Sequence, residues 1–339
     1  MTMSHFDNIR VLLAESNSEM RANLNQGLLD CGFKKVKSTG NMSQVASAVE
    51  AGVVDLLIAD TSLPEGDFNQ YVRELRHGEH GENPFLVVMT LVGNPSRDAV
   101  HAAINSGTDH VLAKPFDAIA LIDKVTELTH SRKRFVVTTD YIGPDRRSTH
   151  RAGTMQVAQI DVPNPLHQRM SGSASASKSK RTIEAAKLII NEHKVQRHAY
   201  QIGWLLDHVL PEIAALKADA LPNNPENLKR LCEVSRDLCR RIKGTRFAHV
   251  TEMSMTLCHM AERALKEGLC DEDMRLMGRM ADIIERAFDP GREEAAAEYN
   301  RKARGRGINV FNRGEQQERG PKKTALDNAA LVPAPAAIG

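Results

Sequence analysis

Four polar side chains follow short apolar runs in the first third of the chain. Glu15 and Asp60 each come directly after such a run, and Thr90 and Lys114 close two later ones. Carboxylates, a hydroxyl and an amine are residue types that serve as nucleophiles, metal ligands and charge-neutralising groups. If the runs are neighbouring parallel strands, these side chains lie together at the carboxyl edge of one sheet, where open α/β proteins place their sites.

The apolar runs themselves predict the sheet. Between Asn8 and Thr129, five short runs alternate with amphipathic, helix-like stretches. Two runs are too continuously apolar for a sheet with one wet face, so helices should cover both faces. The fold class expected is α/β, a doubly wound five-stranded parallel sheet. The predicted strands are Ile9–Ala14, Val36–Ser38, Val54–Ala59, Leu86–Met89 and His110–Leu112.

Four segments at the predicted strand ends resemble the signature segments of response-regulator receiver domains. They are VLLAESNSEMR, DLLIADTSLPEGDF, FLVVMTL and GTDHVLAKPFD, in the order and with the spacing of that family. The resemblance covers residues 8–129. It implies a flavodoxin-like receiver of the CheY-like superfamily, which acts in bacterial two-component phosphorelay signalling.

The resemblance assigns a role to each polar strand end. Asp60 aligns with the aspartate that accepts a phosphoryl group from a phosphohistidine and becomes 4-aspartylphosphate, an acyl phosphate. Thr90 aligns with the hydroxyl residue that binds a phosphoryl oxygen, and Lys114 aligns with the lysine that neutralises its charge. The resemblance also implies a cis peptide bond between Lys114 and Pro115.

The metal site that the resemblance implies departs from the family pattern. The family has two acidic residues after the first strand, whereas this chain has Glu15 followed by Ser16. Mg²⁺ would then be held by Glu15, Asp60 and the backbone carbonyl of Ser62, with Ser16 a weak ligand because it carries no charge. We therefore expect reduced Mg²⁺ affinity, and slow phosphorylation and dephosphorylation.

A second departure lies in the fifth strand. Val111 stands where the family often has an aromatic residue that turns inward on activation. Coupling from Thr90 to such an aromatic residue therefore cannot operate in its usual form.

Charge is distributed unevenly along the 339 residues, although the formal net charge is only +2. Residues 1–130 carry 10 basic and 17 acidic side chains, a net charge of −7, and residues 131–181 carry 10 and 3, a net charge of +7. We predict a receiver domain at 1–130, a basic Pro- and Ser-rich linker at 131–181, an all-α four-helix bundle at 182–288 and a mostly disordered tail at 289–339.

The predicted linker contains the stretch Phe135–Arg151, in which basic residues accompany Phe135 and Tyr141. A solvated connector is the first interpretation of this stretch. Docking on the acidic receiver or on nucleic acid is the alternative. The Ser-rich segment Ser171–Lys180 is predicted to be flexible.

The bundle is predicted from apolar residues that recur at helical spacing in four stretches. Asn224 and Pro225 resemble an N-cap followed by the first helical residue, and Gly268 and Asp271 separate the third stretch from the fourth. Methionines at core spacing are predicted to fill the interior; they are Met253, Met255, Met260, Met274, Met277 and Met280.

One segment of the bundle, Arg240–Glu262, resembles the central part of histidine-phosphotransfer domains. Lys243, Gly244 and Thr245 and the later Glu262 fit that pattern. Arg240 stands where the phosphorylatable histidine should be, and a guanidinium cannot accept the phosphoryl group. The segment is therefore either a pseudo-phosphotransfer bundle that keeps the docking face or an ordinary bundle with a basic helix face. The nearby His249 and His259 are interpreted as surface residues.

Three functional hypotheses follow. The first is a response regulator that is phosphorylated on Asp60 by a histidine kinase or a histidine-phosphotransfer protein and signals through its helical domain to a downstream protein. The second is a phosphorylation-independent scaffold of two degenerate modules, marked by Ser16 and Arg240. The third is a DNA-binding regulator, with the basic linker and bundle as output.

Composition excludes several other classes. Aromatic residues make up 4% of the chain with one tryptophan, which argues against stacking platforms for single-stranded nucleic acid. The apolar runs are too short for a membrane span or a signal peptide, and five cysteines in no ligand pattern fit a reducing compartment. We expect a cytoplasmic protein that is not an enzyme and has no membrane partner; homodimerisation is left open.

Overall fold

The computed structural model describes residues 6–147, 158–172, 175–214 and 226–288. Within these ranges the chain divides into two compact units, the first ending at Ile189 and the second beginning at Ile190. The two units are described separately below.

The first unit contains the predicted parallel sheet, and this prediction is confirmed. Its strands run in the order β2-β1-β3-β4-β5, and every neighbouring pair is parallel. The order reverses between β1 and β3, which is the topological switch point of a doubly wound fold. The strands are β1 (Arg10–Ala14), β2 (Lys35–Thr39), β3 (Leu56–Asp60), β4 (Val87–Val92) and β5 (His110–Ala113).

Five helices alternate with the strands and cover both faces of the sheet. Alternate residues of β3 point to opposite faces: Ile58 belongs to the apolar cluster that includes α1 and α5 residues, whereas Leu57 belongs to the cluster of α2 and α3. Strands buried on both faces explain the continuous apolar runs in the sequence. The helices are α1 (Ser18–Asp30), α2 (Met42–Glu50), α3 (Phe68–Arg76), α4 (Arg97–Asn105) and α5 (Ala118–His130).

The residues predicted to be a linker form ordered structure within the first unit. Antiparallel strands β6 (Phe135–Val137) and β7 (Ile142–Pro144) make a small hairpin, and helix α6 (Pro165–Met170) follows. Phe135 and Leu166 are completely buried, and Leu166 belongs to the core of the parallel sheet. The described parts, residues 131–147 and 158–172, are therefore called the extension here. They are not a solvated connector.

Charge pairing at the amino edge of the sheet explains much of this packing. Asp109, just before β5, binds Arg132 of the extension with 2.8 Å between Oδ1 and Nε, and it also binds Arg76 of α3 at 2.9 Å. Asp55, just before β3, binds Arg10 at 2.7 Å and Arg169 of α6 at 3.1 Å. Arginines of the basic extension thus bind individual aspartates of the acidic segment 1–130.

The ring of Phe135 completes this cluster. The guanidinium carbon of Arg132 lies 5.0 Å from the ring centroid, and that of Arg76 lies 5.3 Å from it, which are cation–π distances. Phe85 contacts the same ring edge-on at 6.1 Å between centroids. The guanidinium groups of Arg76 and Arg132 thus each contact both the buried ring of Phe135 and the carboxylate of Asp109, at the amino edge of the sheet.

Gly107, in the turn before β5, allows the hairpin to approach the sheet. Its φ is +92°, and a Cβ placed there would lie 2.5 Å from the carbonyl oxygen of Ile142 and 2.9 Å from Cγ of Arg76. Gly107→Ala is expected to lower the free energy of unfolding by about 2–5 kcal/mol, from the strain of positive φ and from the steric clash. Chemical denaturation of the full chain measures this.

Gly52→Ala is the matched control for that prediction. Gly52 also has a positive φ, +64°, but a Cβ there meets nothing within 4 Å. This variant is expected to lose only about 1–2 kcal/mol. Equal losses of unfolding free energy in Gly107→Ala and Gly52→Ala would show that the close approach of the hairpin adds nothing to the effect of Gly107→Ala.

The second unit is helical. Helix α7 (Ala176–Ala214) contains the boundary between the units, and α8 (Glu226–Ile242), α9 (Thr251–Glu267) and α10 (Asp271–Phe288) follow. One apolar cluster joins residues of all four helices, among them Ile202, Leu238, Leu257 and Ile284. The expectation of a helical bundle after the sheet is thus confirmed.

Helix α7 begins earlier than the sequence pattern indicates. Residues Ala176–Lys180 of the Ser-rich segment, predicted to be flexible, are helical. The Ser175 hydroxyl accepts a hydrogen bond from the Lys178 N–H at 3.2 Å, as N-cap side chains do. The predicted cap at Asn224 and Pro225 and the predicted tail at 289–339 lie outside the described residues.

Most of the methionines predicted to fill the bundle do so. Met277 is fully buried and Met260 nearly so, and Met253, Met274 and Met280 pack partly buried against the same cluster. Met255 is 42% exposed and so differs from the prediction. Within the described residues, no helix is long and apolar enough to cross a membrane.

Candidate functional site

The predicted site residues lie at the carboxyl edge of the sheet. Asp60 is the last residue of the central strand β3, and Glu15 follows β1 directly. Lys114 follows β5, and Thr90 lies in β4 opposite Ala59, the neighbour of Asp60. Parallel strands bring these ends together although the residues are far apart in the chain.

Lys114 connects the two carboxylates. Its Nζ lies 2.5 Å from Oδ2 of Asp60 and 2.5 Å from Oε2 of Glu15. Burial lowers the pKa of Lys114, but its hydrogen bonds to Asp60 and Glu15 outweigh this, so the pKa is raised. The ammonium therefore stays charged and neutralises one of two adjacent negative charges. The Lys114–Pro115 peptide bond is cis, as the resemblance implies.

The second oxygen of each carboxylate accepts a backbone hydrogen bond. Oδ1 of Asp60 accepts from the N–H of Ser62 at 2.5 Å, and Oε1 of Glu15 accepts from the N–H of Asn17 at 3.0 Å. Asp60 and Glu15 are each only 2% exposed. Ser62 thus touches Asp60 through its N–H; its carbonyl as a metal ligand stays a prediction.

Thr90 is completely buried, and its hydroxyl donates to another threonine. The Thr90 Oγ1 lies 2.9 Å from Oγ1 of Thr108, a residue of the turn before β5. Thr108 belongs to the segment GTDHVLAKPFD, but a threonine in a turn carries no chemical signal by itself, so sequence alone does not identify it.

Arg21 is a second residue that sequence reasoning missed. Its Nη1 donates to the backbone carbonyls of Glu15 at 2.5 Å and Ser16 at 3.3 Å. A cation thus lies against the loop in which the family has its second acidic residue. Arg21 lies four residues after Asn17, the N-cap of α1, and this helical spacing is the sequence signal that places it beside the loop.

A family model described as "Response regulator receiver domain" matches residues 11–126. These residues are a receiver domain. The match covers the five strands and the loops that carry Glu15, Asp60, Thr90 and Lys114. The resemblance recognised in the sequence is thereby confirmed, and the receiver is that of a response regulator of two-component systems.

Curated relatives match part of the chain. The probable chemotaxis protein CheY of Rhizobium etli is 28% identical over 114 residues, which are 34% of this chain and 87% of the relative. The transcriptional regulatory protein PrrA of Mycobacterium tuberculosis is 25% identical over 185 residues, 55% of this chain and 72% of PrrA. Among solved structures, the chemotaxis response regulator CheY4 of Vibrio cholerae is 18% identical and covers 35% of this chain and 97% of its own, with a TM-score of 0.32.

Receiver domains generally bind Mg²⁺ at this acidic pocket. Asp60 and Glu15 supply the hard, anionic oxygens that Mg²⁺ prefers, so the donor types fit. The donor number is low, because Ser16 is exposed and uncharged and Lys114 already contacts both carboxylates. In the described ranges, no group of three acidic, histidine or cysteine side chains is arranged to hold a metal ion.

In the helical unit, Arg240 lies on α8 and binds Asp237, with 2.7 Å between Nη2 and Oδ1. The turn after α8 contains Lys243, Gly244 and Thr245, and Gly244 has a φ of +79°. The side chain of Arg240 is 49% exposed. Arg240 is thus a half-exposed guanidinium paired with an aspartate, and its correspondence to a phosphorylatable histidine stays a prediction.

A polar cluster inside this unit was not predicted. Nε2 of His198 lies 2.7 Å from Oδ2 of Asp237, and Arg241 binds the same carboxylate at 2.9 Å. Burial raises the pKa of Asp237, but the bonds to His198 and Arg241 outweigh this and the pKa is lowered. His198 is 3% exposed, and its pKa is lowered chiefly by burial. His249 and His259 are exposed, as expected.

Proposed function

We propose that this chain is a phosphorelay response regulator whose Asp60 accepts a phosphoryl group from the phosphohistidine of a histidine kinase or of a histidine-phosphotransfer protein. The chain is then the acceptor of the group, not an enzyme acting on a separate substrate. The observation that carries the proposal is the contact of Lys114 with both Asp60 and Glu15 at 2.5 Å.

The proposed step is a transfer between two side chains. A carboxylate oxygen of Asp60 forms a bond to phosphorus, the bond between phosphorus and the donor imidazole nitrogen breaks, and that nitrogen keeps the electron pair. Lys114 neutralises charge on the transferred group, and the Thr90 hydroxyl donates to one of its oxygens. Mg²⁺, when bound, neutralises further charge on the phosphoryl oxygens, and Glu15 and Asp60 would hold it.

Phosphorylation would then change the charge at the edge of the sheet. The phosphoryl group carries about −1.5 to −2 charges and three acceptor oxygens. Because the Asp60 carboxylate loses its own charge on forming the acyl phosphate, the net change at the site is about −0.5 to −1. We propose that the signal is read by a downstream protein through the helical unit, and that the protein works in the cytoplasm.

Asp60→Asn tests the proposal. The amide keeps the shape of the side chain but removes the nucleophile, so incubation with acetyl phosphate and Mg²⁺ should modify the wild type and leave this variant unmodified. Intact-protein mass spectrometry measures the result. Asp67→Asn is the matched control, since Asp67 is the exposed N-cap of α3. Modification of the Asp60 variant, or of neither protein, would contradict the proposal.

A phosphorylation-independent scaffold is the second candidate, favoured by Ser16 at a metal-ligand position and Arg240 at the histidine position. It predicts that Asp60→Asn leaves binding to the downstream partner intact. Loss of that binding in this variant would exclude the scaffold.

DNA binding is the third candidate function. Arg132, Arg134, Arg147 and Arg169 of the extension are each paired with an aspartate, which leaves less positive charge for contacts with phosphates.

A further inference from the structure

Thr108 accepts the hydrogen bond that the Thr90 hydroxyl donates. The two hydroxyl oxygens are 2.9 Å apart, with Thr90 as the donor, and both residues are completely buried. Oγ1 of Thr108 donates to the carbonyl of Val88 at 2.9 Å, and the carbonyl of His110 is a second, longer acceptor at 3.2 Å. The acceptor of the Thr90 proton is therefore itself fixed by a second hydrogen bond.

A hydroxyl has a single proton to donate. In the structure, Thr90 gives this proton to Thr108. The proposed function requires Thr90 to give it to an oxygen of a phosphoryl group on Asp60. The two hydrogen bonds exclude each other, so modification of Asp60 has to break the bond to Thr108.

We propose that Thr108 is a positioning residue for Thr90, which holds the Thr90 hydroxyl away from Asp60 in the unmodified receiver. The inference rests on the proposed function and deepens it. The hydrogen bond to Thr108 stabilises the unmodified receiver and is lost on modification, so it raises the free energy of the modified state relative to the unmodified one. Replacing the Thr108 hydroxyl with a methyl group removes this difference. Thr108 loses this hydrogen bond when the Thr90 hydroxyl turns toward Asp60.

The same residue is held by the extension. Nη2 of Arg146 donates to the backbone carbonyl of Thr108 at 2.6 Å. Arg76 likewise donates to the carbonyl of Gly107 at 2.8 Å, one residue earlier. Gly107, the neighbour of Thr108, lies against the backbone of Ile142 in β7, so a change at Thr108 acts directly beside the hairpin of the extension, within the same unit.

Thr108→Val and Thr108→Ser are a matched pair for the test. Valine has the shape of threonine without the hydroxyl, and serine keeps the hydroxyl. The carbonyl of Val88 also accepts from the N–H of Asp109 at 2.8 Å, so Thr108→Val does not leave this carbonyl without a donor. The bond from Arg146 goes to the backbone and is present in both variants.

The first measurement is the affinity for beryllofluoride, a phosphoryl mimic, at saturating Mg²⁺ in the full chain. Thr108→Val is expected to bind it about three- to tenfold more tightly than the wild type, the value of one hydrogen bond, and Thr108→Ser should match the wild type. General damage to the fold would weaken binding, which is the opposite direction. Equal affinities in the two variants would overturn the inference.

The second measurement is amide hydrogen exchange of β6 and β7. Beryllofluoride should change their exchange in the wild type and in Thr108→Ser, and should change it much less in Thr108→Val. The same change in all three proteins would overturn the inference. Binding to the wild type that persists in Asp60→Asn, or no binding at all, would instead contradict the proposed function and this inference with it.

Discussion

Ser16→Asp is expected to raise the affinity of the receiver for Mg²⁺ by roughly ten- to a hundredfold, because the number of charged ligands strongly tunes the affinity of oxygen sites for divalent cations. In the wild type, the ammonium of Lys114 neutralises one of the two carboxylates, Glu15 and Asp60. A third carboxylate at an exposed position next to Glu15 adds one more charged ligand to the pocket. Isothermal titration calorimetry with Mg²⁺ measures the change.

Ser16→Asn is the control for this experiment. Its side chain has almost the shape of aspartate and offers an oxygen without a charge, so its Mg²⁺ affinity should stay within about threefold of the wild type. The rate of Asp60 modification by acetyl phosphate should rise with Ser16→Asp and not with Ser16→Asn. Equal affinities in the two variants would show that charge at position 16 does not limit metal binding.

Asp109→Ala is expected to lower the free energy of unfolding of the first unit by about 3–5 kcal/mol, because it leaves two buried guanidinium groups without their shared partner. The side chains of Arg76 and Arg132 are 0% and 4% exposed, and that of Asp109 is 1% exposed. Oδ2 of Asp109 also accepts from the N–H of Val88 at 2.9 Å, which the variant loses. Urea unfolding followed by circular dichroism measures the loss.

Trp204, the only tryptophan, lies in the second unit and serves as an internal control. The transition seen by its fluorescence should shift less in Asp109→Ala than the transition of the first unit does. Asp161→Ala removes an exposed ion pair with Arg134 and is expected to leave both transitions almost unchanged. An Asp109 variant as stable as the Asp161 variant would show that the buried cluster does not stabilise the extension.

The pH dependence gives a further check on Asp109. Burial alone would raise its pKa, but Arg132 and Arg76 outweigh burial and the pKa is lowered. A carboxyl group with a lowered folded-state pKa stabilises the protein above its unfolded pKa of about 3.9 and loses this contribution as the pH falls further. The first unit of the wild type should therefore lose stability below about pH 4, and Asp109→Ala should lose less.

Much of the receiver could be predicted from the sequence because its signals are local. Continuous apolar runs mark strands buried on both faces, and a polar residue directly after such a run lies at the carboxyl edge of the sheet. Asp60 and Lys114 were identified on this basis together with the family's segments. The two substitutions that distinguish the pocket, Ser16 and Val111, are also visible in the sequence alone.

The extension could not be predicted because its signals are not local. Its buried residues, among them Phe135, Ile142, Ile160 and Leu166, are scattered among prolines and charged residues and follow no period. Their burial depends on partners in the sheet, and its arginines resemble solvated residues until Asp55 and Asp109 are placed beside them. A linker was predicted from net charge and from the content of proline and serine. These quantities do not show which residues are in contact in the folded protein.

Sequence alone determined the sheet, its polar edge and the identity of the groups that could take part in phosphoryl transfer. Tertiary structure decided which of these groups touch. Glu15 and Lys114 are 99 residues apart and meet at 2.5 Å, and Thr90 meets Thr108 at 2.9 Å. Strand order and the turns between strands set such distances. A hydrogen bond forms or fails over a few tenths of an ångström, and no local pattern of residues contains that information.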